Sequence, residues 1–470
     1  MQNSKLKELS HVEQLKNECK FIEALKILNE LENKKGFPLQ DQFEIYHLKS
    51  SLLSELGYFN EALRYAELAY KKGQYLKNKL RIIDVLLIKS GILWRSNKKT
   101  EAQETMIEVE QILNTINQFS SIEFKEKKAY VALYKSGFYF DMGDLNCSLK
   151  YIDDCLTIAK EIKNKQLLMY ANKRFAFIYS TKGELDRAFE YQQLYLSLAK
   201  ELDDKQEIIG ALNTIGMLFT EKGKFNQALD YLKQSLSICE EISSFKTGTI
   251  LTSLFDLYFD MNSLEKAQQC LDRMKDIINQ EYNKWLDDCY RVDKAMLLKK
   301  KPKFINHLKS KEILKQIADE EGTFIETQYV ALIQLCDLYL KELSETNSLK
   351  VIDEIQPYLT QLKDIASSQQ SFWLLAETYI FQAKLKLITF EFQEAKNLLS
   401  QAQEITKKYG LTQLAERTRK EQDEMLNEKS RWEKLRNSKV IMAERIELAH
   451  LNDQIVRMLR KRVYLKNNIE

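Results

Sequence analysis

Hydrophobic and polar positions along this chain repeat at intervals of about forty residues, and each interval carries the pattern of two amphipathic helices. A short phrase anchors the repeat: a turn residue, an apolar residue two positions later, and a small residue three beyond that. It reads Gly57-Tyr58-Phe59-Asn60-Glu61-Ala62, Gly183-Glu184-Leu185-Asp186-Arg187-Ala188 and Gly223-Lys224-Phe225-Asn226-Gln227-Ala228. With the small residue as register mark, the phrase falls at Ala24, Ala62, Ala102, Ser148, Ala188, Ala228, Ala267, His307, Ile352 and Ala395. Successive gaps are 38, 40, 46, 40, 40, 39, 40, 45 and 43 residues. Eight of these ten marks are Ala or Ser, which predicts a close helix crossing at each. A Leu forced into such a slot costs about 1–3 kcal/mol.

The turn slot, five residues before the mark, holds Gly or Asn in seven of ten repeats: Gly57, Asn97, Gly143, Gly183, Gly223, Asn262 and Asn347. Both residues tolerate the left-handed conformation that ends a helix, so the first helix of each pair is predicted to stop there. A second small column lies twelve residues before the mark, at Ser50, Ser90, Ser136, Ala176, Gly216 and Ala383, with Phe255 as an exception. After the turn, Phe225, Ala228, Leu229, Leu232 and Leu236 form one apolar stripe at helical spacing. Each unit therefore reads as helix, tight turn, helix. Strand-type alternation is lacking, so the fold class is all-α, a solenoid of about ten helical hairpins.

The best unit runs from Ala211-Leu212-Asn213-Thr214-Ile215-Gly216-Met217-Leu218-Phe219 into Gly223-Lys224-Phe225-Asn226-Gln227-Ala228. It resembles the tetratricopeptide repeat (TPR) in its spacing of small, aromatic, Gly, aromatic and Ala positions. The usual unit of that family is near 34 residues. These longer units are similar to those of kinesin light chains and of MalT-type bacterial regulators. The resemblance spans residues 8–408 and is strongest from Ser50 to Met274. It implies a right-handed superhelix whose first helices line a concave groove able to take an extended peptide or a partner helix. Groove positions are expected fifteen and eleven residues before the mark, giving Lys173 and Phe177, Asn213 and Met217, Thr252 and Asp256, and His47 and Ser51. Alanine at Lys173 and Asn213 together is expected to weaken capture and spare the melting temperature.

Charge changes this picture little. Net charge is +3, and the last nineteen residues supply all of it, so the array offers no basic face for nucleic acid. The seven cysteines are odd in number and scattered without C-x-x-C spacing, which reads as buried thiols in a reducing, cytoplasmic setting. No phosphate loop, H-E-x-x-H or G-x-S-x-G motif occurs, so no catalytic residue, metal site or cofactor is expected. His307, standing in a small-residue slot, reads as a local packing accommodation.

Beyond Gly410 the phrase disappears. Residues 411–436 read as a charged capping helix whose apolar seam (Leu411, Leu414, Met425, Trp432, Leu435) is too sparse for a coiled coil. Residues 441–470 read as a short amphipathic tail with a basic face, open to four readings: partner docking, contact with an anionic surface, a connector, or packing back on the array. Two functions fit the whole. One is a non-enzymatic scaffold or adaptor binding peptide or protein segments in its groove. The other is a regulator that senses a peptide or effector by changing the pitch of the solenoid.

Overall fold

The computed structural model of the chain describes residues 2–460 apart from 18–19, 35, 97, 117–120, 243–245, 281, 370, 437 and 439. The chain folds into consecutive hairpins. The first five are α1 (Gln2–Asn17) and α2 (Phe21–Asn33), α3 (Leu39–Glu55) and α4 (Phe59–Leu76), α5 (Lys79–Arg95) and α6 (Lys99–Asn114), α7 (Ile122–Asp141) and α8 (Leu145–Glu161), α9 (Lys165–Lys182) and α10 (Leu185–Glu201). The next are α11 (Lys205–Glu221) and α12 (Phe225–Glu241), α13 (Thr247–Asp260) and α14 (Leu264–Gln280), α15 (Lys284–Lys300) and α16 (Phe304–Asp319), α17 (Ile325–Thr346) and α18 (Lys350–Ser368), α19 (Phe372–Ile388) and α20 (Phe392–Lys408). Four shorter helices close the chain: α21 (Thr412–Asn427), α22 (Lys429–Arg436), α23 (Met442–Leu448) and α24 (Leu451–Arg460). Every regular element among the described residues is helical, and the fold is the right-handed α-solenoid that the repeat predicts.

The turns form as their residues dictate. Gly57, Gly143, Gly183, Gly223, Asn262 and Asn347 all have positive φ, and even Phe390, in the same slot, is held at φ 66°. Asn97 lies outside the described residues. Gly183 is fixed twice over: its φ is 82°, and the Gln413 side-chain amide fills the space a Cβ would take. Entry into the first helices is also encoded, since Asn78, Ser121, Asn164, Asp204 and Asn283 each cap the following helix through a side-chain oxygen, as Asp144 does for the second helix α8.

The small columns hold the two helices of a hairpin together by more than size. Ala24, Ala62, Ala102, Ser148, Ala188, Ala228, Ala267 and Ala395 are fully buried. Opposite them, Ser50, Ser90 and Ser136 donate from Oγ to the carbonyls of Ala62, Ala102 and Ser148 at 2.9, 2.8 and 3.0 Å. At Gly216 the Leu232 side chain occupies the place of a Cβ. We expect Ala188→Leu to destabilise the array by about 1–3 kcal/mol, read as a lower denaturation midpoint. An unchanged midpoint would mean that the crossing is loose.

One register mark moves. His307 is half-buried at the surface, whereas Ser310 is fully buried and donates to the Ala295 carbonyl at 2.8 Å. The crossing in this unit is therefore Ser310, three residues later. The cause lies in the turn slot, where Pro302 replaces Gly or Asn: Lys301 and Lys303 are extended, and no left-handed residue ends α15. α16 is displaced by nearly a turn, and its apolar entry residue Phe304 is left 75% exposed.

The superhelix closes on itself. Lys99 Nζ donates to the Gln369 carbonyl at 2.8 Å, and Gln413 Nε2 donates to the Gly183 carbonyl at 2.9 Å. Gly143 lies against Phe372 and Gly410 against Asn146. Residues far apart in sequence thus meet along a seam between the third to fifth hairpins and the last ones. Gln413 and Gly410 belong to α21 and the turn before it, so this segment, which packs on α20, is also part of the seam.

Candidate binding surface

Arg95, Asp141 and Thr181 stand seven residues before the marks Ala102, Ser148 and Ala188, and all three line one cavity. That slot faces the inside of the superhelix. Positions eleven, fourteen and eighteen before the mark lie on the same helix face. The inner stripe is thus Glu44, Leu48, Ser51 and Glu55 on α3, then Asp84, Ile88, Gly91 and Arg95 on α5. It continues as Tyr130, Tyr134, Gly137 and Asp141 on α7, and Tyr170, Arg174, Phe177 and Thr181 on α9.

Along this stripe, neighbouring first helices are tied by side chains. Arg81 pairs with Glu44 at 2.8 Å and Lys127 with Asp84 at 2.6 Å. Gly91 leaves room for the Tyr134 ring and Gly137 for the Arg174 guanidinium, either of which would lie 3.1 Å from an added Cβ. Burial pushes the Tyr134 and Tyr170 hydroxyls up to about 12. It also raises the Glu44 and Asp84 carboxyls, against the pull of Arg81 and Lys127. The wall is polar yet poorly hydrated, which strengthens any hydrogen bond made to it.

At the seam this wall meets the C-terminal hairpins and encloses a cavity of about 390 Å³. The ends of α5, α7 and α9 contribute one side, with Trp94, Phe140 and Asp141. Residues 322–326, Tyr329 and Trp373 contribute the other. Trp94 Nε1 donates to Asp141 Oδ2 at 2.7 Å, which orients that carboxylate. Among the described residues, no group of three His, Cys, Asp or Glu side chains is placed to hold a metal ion.

The positions expected from sequence divide into four groups. Lys173 pairs with Glu207 at 3.0 Å and stands over the Tyr195 ring, which ties it into a packed network. Phe177, Met217 and Thr252 are buried: Phe177 tilts against Phe140 with ring centroids 6.4 Å apart, and Thr252 Oγ1 donates to the Thr249 carbonyl. Asp256 is half-buried, and Ser51 accepts from Lys16 Nζ at 2.8 Å. His47 and Asn213 differ from these. His47 stacks on Phe43, and its Nδ1 is buried with no hydrogen-bond partner among the described residues. Burial, followed by the charges of Lys16, Lys127 and Arg81, pulls this imidazole down to about 4. Asn213 Nδ2 reaches Met217 Sδ at 3.4 Å, but its Oδ1 is likewise buried and unpartnered.

Packing back on the array was one of four readings of residues 441–470, but sequence reasoning did not name the face the tail would cover. On α19 the stripe reads Glu377, Phe381, Lys384 and Ile388. Helices α23 and α24 lie across it. Gln454 Nε2 donates to Glu377 Oε2 at 2.7 Å, Lys384 Nζ to the Ala449 carbonyl at 2.8 Å, and Arg445 to the Ile388 carbonyl at 3.3 Å. Met442, Ile446, Leu451, Ile455 and Met458 are buried beneath the tail. The available signal was the strong amphipathicity of residues 451–460, with apolar side chains at helical spacing.

A closed solenoid of long helical hairpins with a poorly hydrated inner wall defines the class: a TPR-type repeat protein. The MalT-like TPR region family matches residues 128–407, and the chain belongs to that family. No curated protein matches it in sequence. Among solved structures, a Rap protein complexed with competence and sporulation factor has a TM-score of 0.51 at 14% identity, covering 79% of this chain and 99% of its own. Aspartyl phosphate phosphatase F from Bacillus subtilis has a TM-score of 0.46 at 13% identity, covering 79% and 95%. Yeast Tom70 has a TM-score of 0.34 at 13% identity, covering 90% and 97%.

Proposed function

We propose that this chain is a non-enzymatic scaffold that takes up a peptide or protein segment along the inner wall formed by its first helices. The observation that carries this reading is the pair of buried, unpartnered polar atoms on those helices, Asn213 Oδ1 and His47 Nδ1. A buried acceptor without a donor costs about 1–3 kcal/mol, and a ligand backbone N–H would remove that cost. The Rap protein of similar fold, solved with competence and sporulation factor bound, supports the same use of the fold. The buried thiols Cys155, Cys239, Cys270, Cys289 and Cys336 fit a reducing compartment such as the cytoplasm. No helix among the described residues is long and apolar enough to cross a membrane.

Peptides selected by display on the full chain provide the test. Asn213→Leu should weaken their binding about tenfold, a loss of one good hydrogen bond, while the melting temperature holds or rises. Selected peptides that bind this variant as tightly as the parent chain would reject the inner wall.

The seam favours a second reading, an effector-sensing regulator. It includes two direct hydrogen bonds, Lys99 to Gln369 and Gln413 to Gly183, so a ligand on the inner wall would open or tighten it. A change in radius of gyration on peptide binding, measured by small-angle scattering, selects the sensor. Binding without such a change selects the scaffold.

A further inference from the structure

The seam cavity contains more polar chemistry than ring closure needs. Its volume of about 390 Å³ falls in the range of small-ligand pockets, roughly 300–1,000 Å³. Trp94, Phe140 and Trp373 give it aromatic walls. Two carboxyl groups enter it, Asp141 from the end of α7 and Glu326 from the first turn of α17. They differ in what balances them. Asp141 has the Trp94 indole as hydrogen-bond donor and the Arg174 charge nearby. Glu326 forms no ion pair within 4 Å among the described residues.

The cations near the cavity make their direct contacts elsewhere, although the Lys99 charge acts on both Asp141 and Glu326. Lys99 donates to the Gln369 carbonyl and sits over the Trp94 ring at 5.3 Å. Arg95 is drawn towards Glu55 at 3.7 Å. A second, independent sign is Thr323: it is only 9% exposed, lines the cavity, and its Oγ1 has no hydrogen-bond partner among the described residues. Burial pushes the Glu326 carboxyl up and the Asp141 charge adds to this, against the pull of its own backbone N–H and of the Lys99 charge. The Asp141 charge opposes ionisation of the desolvated Glu326 carboxyl, and a cation held beside both relieves that opposition.

We propose that the seam cavity is a binding site for a small organic cation, an amine or guanidine with an apolar body. Its charged head lies between Glu326 and Asp141, its body rests against Trp94 and Trp373, and Thr323 accepts a further N–H. Aromatic faces beside carboxylates are a favourable setting for such a group, through combined cation–π and charge-assisted hydrogen bonding. Because the cavity is built from both sides of the seam, the bound cation also ties the closed superhelix. This site is separate from peptide uptake along the wall and stands or falls without it.

Two of the chain's four tryptophans, Trp94 and Trp373, line the cavity, so intrinsic fluorescence reports on it directly. The experiment titrates the full chain with phenethylammonium and with agmatine, and in parallel with neutral 2-phenylethanol and anionic 3-phenylpropanoate. The expected result is saturable quenching by a cation, a melting temperature that rises with its concentration, and no response to the other two. Glu326→Gln should weaken cation binding at least about tenfold, and Thr323→Val should weaken it less, with both variants folded by circular dichroism. Equal response to neutral and cationic probes, binding indifferent to Glu326→Gln, or no response to either cation at millimolar concentration would overturn the proposal. Should Glu326→Gln fail to fold, indifference of the Thr323→Val variant would do the same.

Discussion

Removal of residues 441–470 is expected to leave a folded array that is less stable by about 3–5 kcal/mol, the scale of one or two large-to-small core substitutions. The tail inserts Met442, Ile446, Leu451, Ile455 and Met458 against α17 and α19, where Phe381 and Ile388 are also buried. Losing that apolar contact is the main cost. The charges beneath the tail do not become orphans. Lys384 keeps Glu421, and Glu377 keeps Arg417, once Ala449 and Gln454 have gone. Loss of a sole partner from a buried charge would cost several kcal/mol more and would threaten folding. The inner face of α19 is thus able to stand uncovered. Chemical denaturation should show a lower midpoint, and hydrogen exchange should speed up in α17 and α19 far more than in α3 or α5, because solenoid coupling is between neighbours. Unchanged exchange in α19 would show that the tail does not dock there in solution.

The parts of this architecture written in local sequence were legible. Turns ended by Gly or Asn, and crossings closed by Ala or Ser, each have a backbone or steric reason that acts within one repeat. The exception tells the same story: Pro302 in the turn slot displaced α16, and the mark moved from His307 to Ser310. The inner wall was harder to read. At seven residues before the mark the chain has Glu55, Arg95, Asp141 and Thr181, and at fourteen before it Leu48, Ile88, Tyr134 and Arg174. Columns with no common chemistry give no periodic signal, and of the two expected groove slots the one eleven before the mark lies on the stripe, whereas the one fifteen before it, that of Lys173, His47 and Asn213, lies one residue away. The seam was not legible at all, since Lys99 and Gln369 meet only after the superhelix has made a full turn. Its trace was the double duty of Gly143 and Gly183, each a turn residue and a point of close approach.

That one-residue offset has an energetic consequence at Lys173, which decides how the array responds to acid. Glu207 is held down to about 2. Burial alone would raise it, but the charges of Lys173 and Lys246 and the hydrogen bonds from Tyr195 and Lys173 outweigh that effect. A carboxylate depressed in the folded chain adds stability that is complete above its unfolded value, about 4.3, and is lost as the pH falls towards 2. The shift corresponds to roughly 3 kcal/mol. Between about pH 4.5 and 2 the parent chain should therefore lose stability steeply, and Glu207→Gln should remove this share of the slope. At neutral pH that variant should be the less stable by a similar amount, and the two should converge near pH 2. Lys173→Ala acts on the same balance, since it takes the nearest charge from a carboxylate whose side chain is only 16% exposed. The Lys173 and Asn213 alanine pair, expected from sequence to spare the melting temperature, should lower it, with Lys173 responsible for the loss. Denaturation midpoints for the two single variants across pH 2 to 7 separate the contributions: a flat difference for Asn213→Ala, and for Lys173→Ala a difference that shrinks as Glu207 takes up its proton. A Lys173→Ala difference independent of pH would show that the pair does not hold Glu207 in its charged form.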